Sequence, residues 1–134
     1  MKSSHFDKKG SARMVDISKK KISSRKSIAK CSVFMQSQTL LMIKEGRHKK
    51  GDVLAIARIA GIMSCKKTSN LIPLCHPISI DSVTIDFMLH EKNNSIEIIA
   101  TCKTSDKTGI EMEALTAVTI SGLTVYDMCK SVDK

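Results

Sequence analysis

The sequence predicts an α+β sandwich, in which helices cover one face of an antiparallel sheet. An alternating apolar run at residues 83–89 and a second strand-like run at 96–104 flank a turn-like segment at 91–95, which is the pattern of a β-hairpin. Segments at 37–46, 51–67 and 108–132 have helical character. The order β-α-α-β-β-α, in a chain of 134 residues, is typical of one α+β domain with a modest core.

The first strand and first helix have identifiable ends. Residues 31–35 alternate enough to form a strand. In the helix at 37–46, Ser37 is the expected N-cap and Gly46 the expected end.

The second helix, at 51–67, is expected to begin after an Asp52 N-cap. Gly61 inside this helix costs about 1 kcal/mol relative to Ala, so we expect another backbone to approach it closely. Its apolar residues recur at helical spacing: Val53, Ile56, Ala60 and Met63.

The last helix follows a proline-stiffened loop at 68–79 and the hairpin. Thr108 and Glu111 have the spacing of a capping box at its start. Its β-branched residues weaken local helix propensity, so packing must hold it. One broad apolar face is expected to contain Leu115, Val118, Leu123 and Val125.

The positive charge is concentrated at the beginning of the chain. The net charge is +9, and residues 1–30 contain ten Lys/Arg against two Asp. We predict that residues 1–13 are a disordered basic tail and that residues 14–134 are a single domain. Nucleic-acid binding is disfavoured, because no aromatic residues interleave with the basic ones for base stacking.

Cysteine and apolar content predict a cytoplasmic protein that does not span a membrane. The five cysteines are an odd number without CxxC spacing, and no apolar signal-like stretch precedes them, so free thiols in the cytoplasm are expected. The longest uncharged candidate, residues 114–126, is shorter than the roughly 18 residues that a membrane span needs.

Two motifs precede the hairpin. In "GRHKKGD" (46–52), an aspartate stands where a P-loop has Lys-Ser/Thr, so that assignment fails and a cationic loop before a helix remains. It could bind phosphate or simply be a solvated basic turn. In "LCHP" (74–77), Cys75 as nucleophile, a zinc site completed by tertiary neighbours, and His76 as a hydrogen-bonding or structural residue all remain open.

The last helix carries two further motifs. In "EME" (111–113), two carboxylates complement the helix dipole, or Glu113 accepts hydrogen bonds from a guanine-like ring. In "YDMCK" (126–130), Asp127 and Lys130 lie on one helix face, as an ordinary ion pair or as a general acid–base pair with a lysine pKa lowered by burial and neighbouring cations.

Five motifs together resemble one family. "MVDIS", "GRHKKGDVLAIARIAGI", "NLIPLCHP", "KTGIEMEALTA" and "LTVYDMCK" occur in the order found in the MoaC family, the cyclic pyranopterin monophosphate synthases of molybdenum-cofactor biosynthesis. The resemblance runs from about Met14 to the end of the chain. It implies a ferredoxin-like fold and a homohexamer, a trimer of dimers with active sites at the dimer interfaces.

The resemblance also implies a reaction and its residues. The substrate would be 3′,8-cyclo-7,8-dihydroguanosine 5′-triphosphate, which is rearranged to cyclic pyranopterin monophosphate as pyrophosphate leaves. No cofactor is required, although Mg²⁺ can accompany the triphosphate. Asp127, Lys130 and Lys50 match the catalytic positions. The positions expected to bind substrate are Arg47, His48, Leu74, Cys75, His76, Glu111, Met112 and Glu113.

The sequence departs from the family pattern in two places, and each departure has an expected consequence. Lys49 stands where the family often has a histidine, which adds charge near the phosphates. The sequence stops at Lys134, where family members continue for about one more strand, so the closing strand of a βαββαβ sheet is expected to be missing. The alternative function is therefore that of a C-terminally shortened, non-catalytic nucleotide-binding or assembly homologue.

Overall fold

A computed structural model describes residues 4–134 and shows helices packed against one antiparallel sheet. The predicted α+β class is confirmed, and the arrangement is consistent with a ferredoxin-like sandwich. The elements are β1 (Ser23–Phe34), α1 (Ser37–Lys44), α2 (Val53–Cys65), α3 (Thr68–Leu71), β2 (Ser82–His90), β3 (Ser95–Asp106) and α4 (Glu111–Cys129).

The sheet has the strand order β1-β3-β2. β1 pairs with β3 from Ser23 opposite Asp106 to Phe34 opposite Ser95, and β2 pairs with the same strand from the other side. Residues 4–134 contribute three strands to this sheet, so β1 and β2 are both edges within the described chain. β1 is much longer than the predicted strand at 31–35, because its polar first half lies on the solvated part of the sheet and lacks an apolar signal.

The core lies between this sheet and helices α2 and α4. Ile96, Ile98 and Ala100 of the central strand are fully buried. The opposite sheet face is solvated, with an ion pair of 3.4 Å between Lys30 Nζ and Glu97 Oε1. One face of the sheet thus carries the core, which explains the alternation in the sequence.

The two long helices approach each other closely at Gly61. A Cβ at this position would overlap Ile85 Cδ1 and the Ser121 hydroxyl and would lie 3.0 Å from the Ala117 carbonyl oxygen. Ser121 Oγ also donates a hydrogen bond of 2.8 Å to the Ala57 carbonyl oxygen. The expected close approach of another backbone to Gly61 is confirmed.

The predicted buried faces of α2 and α4 are partly wrong. Small residues, not large ones, occupy the seam between these helices, since only they allow the backbones to come this close. Val53, Val118 and Val125 are buried as predicted, and Ala60 is half-buried. The large residues that are exposed instead are Ile56, Met63, Leu115 and Leu123.

Two of the predicted helix ends are confirmed and two are wrong. Asp52 accepts a hydrogen bond of 3.0 Å from the Ala55 N–H as the N-cap of α2, and Gly46 has the positive φ of +65° expected after α1. The Ser37 cap is wrong: Gln36 is the N-cap residue of α1, and its N–H donates to Asp133. The capping box is also wrong, because α4 begins at Glu111, which leaves Glu111 too close to the helix start to act as its third residue.

The structure describes most of the N-terminal segment that was predicted to be a basic tail. Residues 1–3 of the predicted tail lie outside the described residues. Residues 5–13 form a small hairpin with one bridge between Phe6 and Ala12. Among residues 4–134, none of the helices has both the length and the apolar character needed to cross a membrane.

Candidate active site

Lys50, Asp127 and Lys130 come together at the C-terminal end of α4, and we call them the Lys-Asp-Lys cluster. Lys130 Nζ lies 2.8 Å from Asp127 Oδ1, and Lys50 Nζ lies 3.7 Å from Asp127 Oδ2. Lys50 Nζ also donates a hydrogen bond of 2.8 Å to the Asp127 carbonyl oxygen. The three residues that the family resemblance selects as catalytic are therefore neighbours.

The α1–α2 loop brings Lys50 to this position. Gly46 and Gly51 have φ values of +65° and +98°, a backbone conformation that glycine adopts without steric cost. The Gly51 N–H closes a turn on the His48 carbonyl oxygen at 3.0 Å. The loop therefore delivers Lys50 to α4 from a tight turn.

The cluster has a defined charge state. The hydrogen bond and charge of Lys130, followed by the charge of Lys50, hold the pKa of Asp127 below its ordinary value. The same hydrogen bond raises the pKa of Lys130. The prediction of a lysine pKa lowered towards neutrality is wrong for Lys130, because its nearest ionisable neighbour is a carboxylate and its side chain is 53% exposed.

Arg47 and His48 do not contact this cluster directly. The Arg47 guanidinium pairs with the Glu45 carboxylate. His48 is only 6% exposed, and its Nε2 has no hydrogen-bond partner among the described residues. Their predicted contacts with phosphate stay a prediction.

The second group of predicted residues surrounds a cavity of about 300 Å³ at the N-terminal end of α4, which we call the α4 pocket. The loop after α3 and the first turn of α4 supply part of its lining. These residues are Leu74, Cys75, His76, Glu111 and Met112. Glu113 lies behind the wall, only 3% exposed, and accepts a hydrogen bond of 3.9 Å from Cys75 Sγ. The loop and helix motifs that the sequence singled out thus meet in space.

Hydrogen bonds to β3 hold the "LCHP" loop. Asp106 Oδ2 accepts from the Ser79 N–H at 3.1 Å, and the Thr104 hydroxyl donates to the Ser79 carbonyl oxygen. The Cys75 N–H bonds to the Ile72 carbonyl oxygen at 3.2 Å. Both ends of the loop are fixed, which orients His76 towards the pocket without further secondary structure.

Burial governs the acid–base chemistry of this pocket. It raises the pKa of the Cys75 thiol, with a further contribution from Glu113, so the reactive thiolate is disfavoured. Burial also raises the pKa of the Glu113 carboxyl, and its Oε2 has no partner among residues 4–134. An unsatisfied carboxyl oxygen therefore lies buried behind the pocket wall, and unpaired buried polar atoms are rare in native structures.

Two larger hollows elsewhere among residues 4–134 are not lined by any predicted site residue. No three His, Cys, Asp or Glu side chains within residues 4–134 are grouped closely enough to hold a metal ion. A larger hollow, about 530 Å³, lies between α1 and the β2–β3 turn, but its walls contain none of the predicted site residues. The chemistry is concentrated at the two ends of α4.

The Lys-Asp-Lys cluster and the α4 pocket lie far apart within a single chain. Glu113 and Asp127 lie near opposite ends of one continuous helix. At about 1.5 Å per residue, about 20 Å separates them along the helix axis. The cluster and the pocket are therefore separate features of the single chain.

Sequence reasoning missed the N-terminal wall of the α4 pocket. The residues that form it are Ser4, His5, Val15, Ile17 and Lys20. The alternation of Val15 and Ile17 in "MVDIS", both half-buried, is the one signal that could have identified part of it.

The fold and its candidate sites define a small α+β protein with a Lys-Asp-Lys cluster at one end of α4 and a cavity at the other. The sequence profile of the MoaC family matches residues 14–134, and the chain belongs to that family. The resemblance inferred from five motifs is thereby confirmed.

Several relatives carry the name cyclic pyranopterin monophosphate synthase. The one from Heliobacterium modesticaldum is 53% identical over 130 residues, 97% of this chain and 82% of the relative. The one from Clostridium perfringens (strain 13) is 55% identical over 133 residues, 99% and 84%. The one from Dinoroseobacter shibae is 55% identical over 130 residues, 97% and 82%.

Proposed function

We propose that this chain is a cyclic pyranopterin monophosphate synthase of molybdenum-cofactor biosynthesis. It is a lyase that converts 3′,8-cyclo-7,8-dihydroguanosine 5′-triphosphate to cyclic pyranopterin monophosphate with release of pyrophosphate. The observation that carries the proposal is the Lys-Asp-Lys cluster, in a chain whose relatives bear that name.

The cluster is suited to proton transfer next to phosphate. Asp127 is ionised and 56% exposed, so it can accept a proton from a substrate and return it. Lys130 fixes the orientation of that carboxylate through the 2.8 Å contact. The charges of Lys50 and Lys130 stabilise the negative charge that develops on oxygen as pyrophosphate leaves.

The α4 pocket is proposed to hold the purine-derived rings. Glu113 Oε2 lies behind the pocket wall and has no partner among residues 4–134, and we propose that it accepts from ring N–H groups once the ligand displaces that wall. Leu74, Cys75, His76 and Met112 would enclose the rings, with Glu111 at the rim. Arg47 and His48 are proposed phosphate contacts that become available only when substrate draws them from their present positions.

We propose a homohexamer, a trimer of dimers, with each site shared between two chains. The separation of cluster and pocket along α4 supports this proposal, because a two-fold pairing of α4 with its copy would bring each cluster to the other pocket. Apolar side chains suited to that contact are exposed on α2 and α4: Ile56, Ile59, Met63, Leu115, Leu123 and Tyr126.

Three further proposals concern the cofactor, the location and the class of ligand. We propose no protein-bound cofactor, with Mg²⁺ entering only alongside the triphosphate. A cytoplasmic location is proposed because all five cysteines are free, including Cys65 and Cys102 with sulfurs 3.8 Å apart. A small anionic nucleotide, not a nucleic acid, is the proposed ligand.

Pyrophosphate release from the cyclic guanosine triphosphate tests this proposal. Asp127→Asn and Lys50→Ala should each lower turnover by about 100-fold or more, because each removes a group that acts on the reacting atoms. Lys44→Ala is the matched control, since Lys44 pairs with Glu91 on the β2–β3 turn and should leave turnover unchanged.

Two results would contradict the proposal. Undiminished turnover in both cluster variants would remove the catalytic assignment. Tight binding of the triphosphate by the unmodified chain without turnover would identify a non-catalytic nucleotide-binding homologue instead.

A further inference from the structure

The N-terminal hairpin, residues 5–13, has an internal structure that holds one histidine in place. The Arg13 N–H donates to the His5 carbonyl oxygen at 2.9 Å, and the Asp7 N–H donates to the Ser11 carbonyl oxygen at 2.9 Å. Asp7 Oδ1 accepts from the N–H groups of Lys9 and Ser11 at 2.8 and 2.9 Å, an aspartate-closed turn. The two strands of the hairpin are thus locked in register at His5.

The segment that follows fastens the hairpin to the domain. Val15 and Ile17 are half-buried and line the α4 pocket. Lys107 Nζ donates to the Ser18 carbonyl oxygen at 3.4 Å, and Asp16 Oδ1 accepts from the Ser18 N–H at 2.9 Å. The segment is therefore tied to the end of β3, next to the pocket.

These attachments place the hairpin across the α4 pocket. Ser4 and His5 line the same cavity as Cys75, His76 and Met112. His5 lines this cavity together with a second histidine, His76, and with Lys20. Binding pockets of this size are characteristically closed by a few placed polar groups of this kind.

We infer that the N-terminal hairpin is a wall of the substrate site and that His5 is a further substrate-contact residue, which sets affinity rather than the rate of the chemical step. This inference rests on the proposed function, because it takes the ligand of the α4 pocket to be the cyclic guanosine triphosphate. His5 contributes a hydrogen-bonding ring to that ligand, and Asp7 is a positioning residue that acts through the fold of the hairpin.

Three variants distinguish a direct contact of His5 with the ligand from the positioning role of Asp7. His5→Ala should raise KM about tenfold while kcat stays within about twofold, since a contact made equally in ground and transition states affects binding alone. Asp7→Ala should have the same signature because it opens the turn. Asp7→Asn keeps the Oδ1 acceptor and should restore most of the affinity, whereas Lys8→Ala is the control, an exposed cation of the hairpin that does not line the pocket.

Affinity is measured beside turnover, so that the two proposals can fail separately. Calorimetric titration of the Asp127→Asn chain with the cyclic guanosine triphosphate should show binding about tenfold weaker when His5→Ala is added. Equal KM and equal affinity with and without the His5 side chain would overturn the inference. An unmodified chain that binds this triphosphate in a His5-dependent way without turning it over would overturn the proposed function alone.

Discussion

At the scale of single residues, the central feature is the charge state of Asp127. Its carboxylate has two lysine neighbours: Lys50 on the α1–α2 loop and, nearer, Lys130, the C-cap residue of α4. The pKa of Asp127 is lowered chiefly by the hydrogen bond from Lys130. Asp127 is therefore fully ionised throughout the neutral range and can act as a base there.

Removal of Lys130 should be visible in the titration of Asp127. In the folded chain, the ionised form of Asp127 is stabilised, so the stability that this pair contributes is present above the unfolded-state pKa and is lost as the pH falls through the folded pKa. Lys130→Met should raise the pKa of Asp127 towards the ordinary aspartate value. Carbon-detected NMR titration of the carboxyl groups measures this change.

The matched variant for this titration is Lys44→Met. Lys44 pairs with Glu91 and lowers the pKa of that carboxyl, so its removal should move Glu91 and leave Asp127 unchanged. An Asp127 pKa that stays the same in Lys130→Met would mean that Lys130 does not set the charge state of the cluster.

At the scale of elements, the seam between α2 and α4 controls stability. Gly61→Ala should destabilise the protein by about 1–3 kcal/mol despite the better helix propensity of alanine, because the added methyl group would overlap Ile85 and Ser121 and press on the Ala117 carbonyl oxygen. Chemical denaturation of the two chains measures the difference in free energy of unfolding.

Gly122→Ala is the control within α4. A Cβ there would lie 3.4 Å from Val33 Cγ2 and 3.5 Å from Cys31 Sγ, which is ordinary contact. Alanine should therefore be neutral or stabilising by up to about 1 kcal/mol. If both glycines respond alike, close packing at Gly61 is not what determines the effect.

The sequence predicted the existence of the helices and strands more accurately than their buried faces and their ends. The hairpin and the helices α1, α2 and α4 follow from periodicity, and the close approach expected at Gly61 is confirmed. The exposed Ile56 and Leu123 could not be predicted, because the narrow seam favours small residues over large ones. The N-cap of α1 could not be predicted either, since its acceptor is Asp133, which is 97 residues away from Gln36.

At the site, too, contacts between residues far apart in the sequence could not be predicted. Asp127 and Lys130 are close in sequence, so their contact follows from helical spacing, and the family resemblance added Lys50. His5 and Lys20 lie on a segment without regular periodicity, and no local pattern connects them to Cys75 or Met112. Only the folded chain brings them to one cavity.

At the scale of the whole molecule, α4 separates the catalytic and binding halves of the proposed site. The helix is 19 residues long, and the two halves lie at its two ends. We propose that the two halves are completed between copies of the chain. Exposed apolar stripes on α2 and α4 give those copies a surface on which to pair.

Subunit mixing tests this account most directly. Asp127→Asn chains lack the catalytic half and His76→Ala chains lack the binding half, so each assembly alone should be inactive. If sites are shared, mixed pairs contain one intact site, and random co-assembly should recover about one quarter of the unmodified activity. Mixed assemblies, verified by two different affinity tags, that remain as inactive as either parent would contradict the shared site.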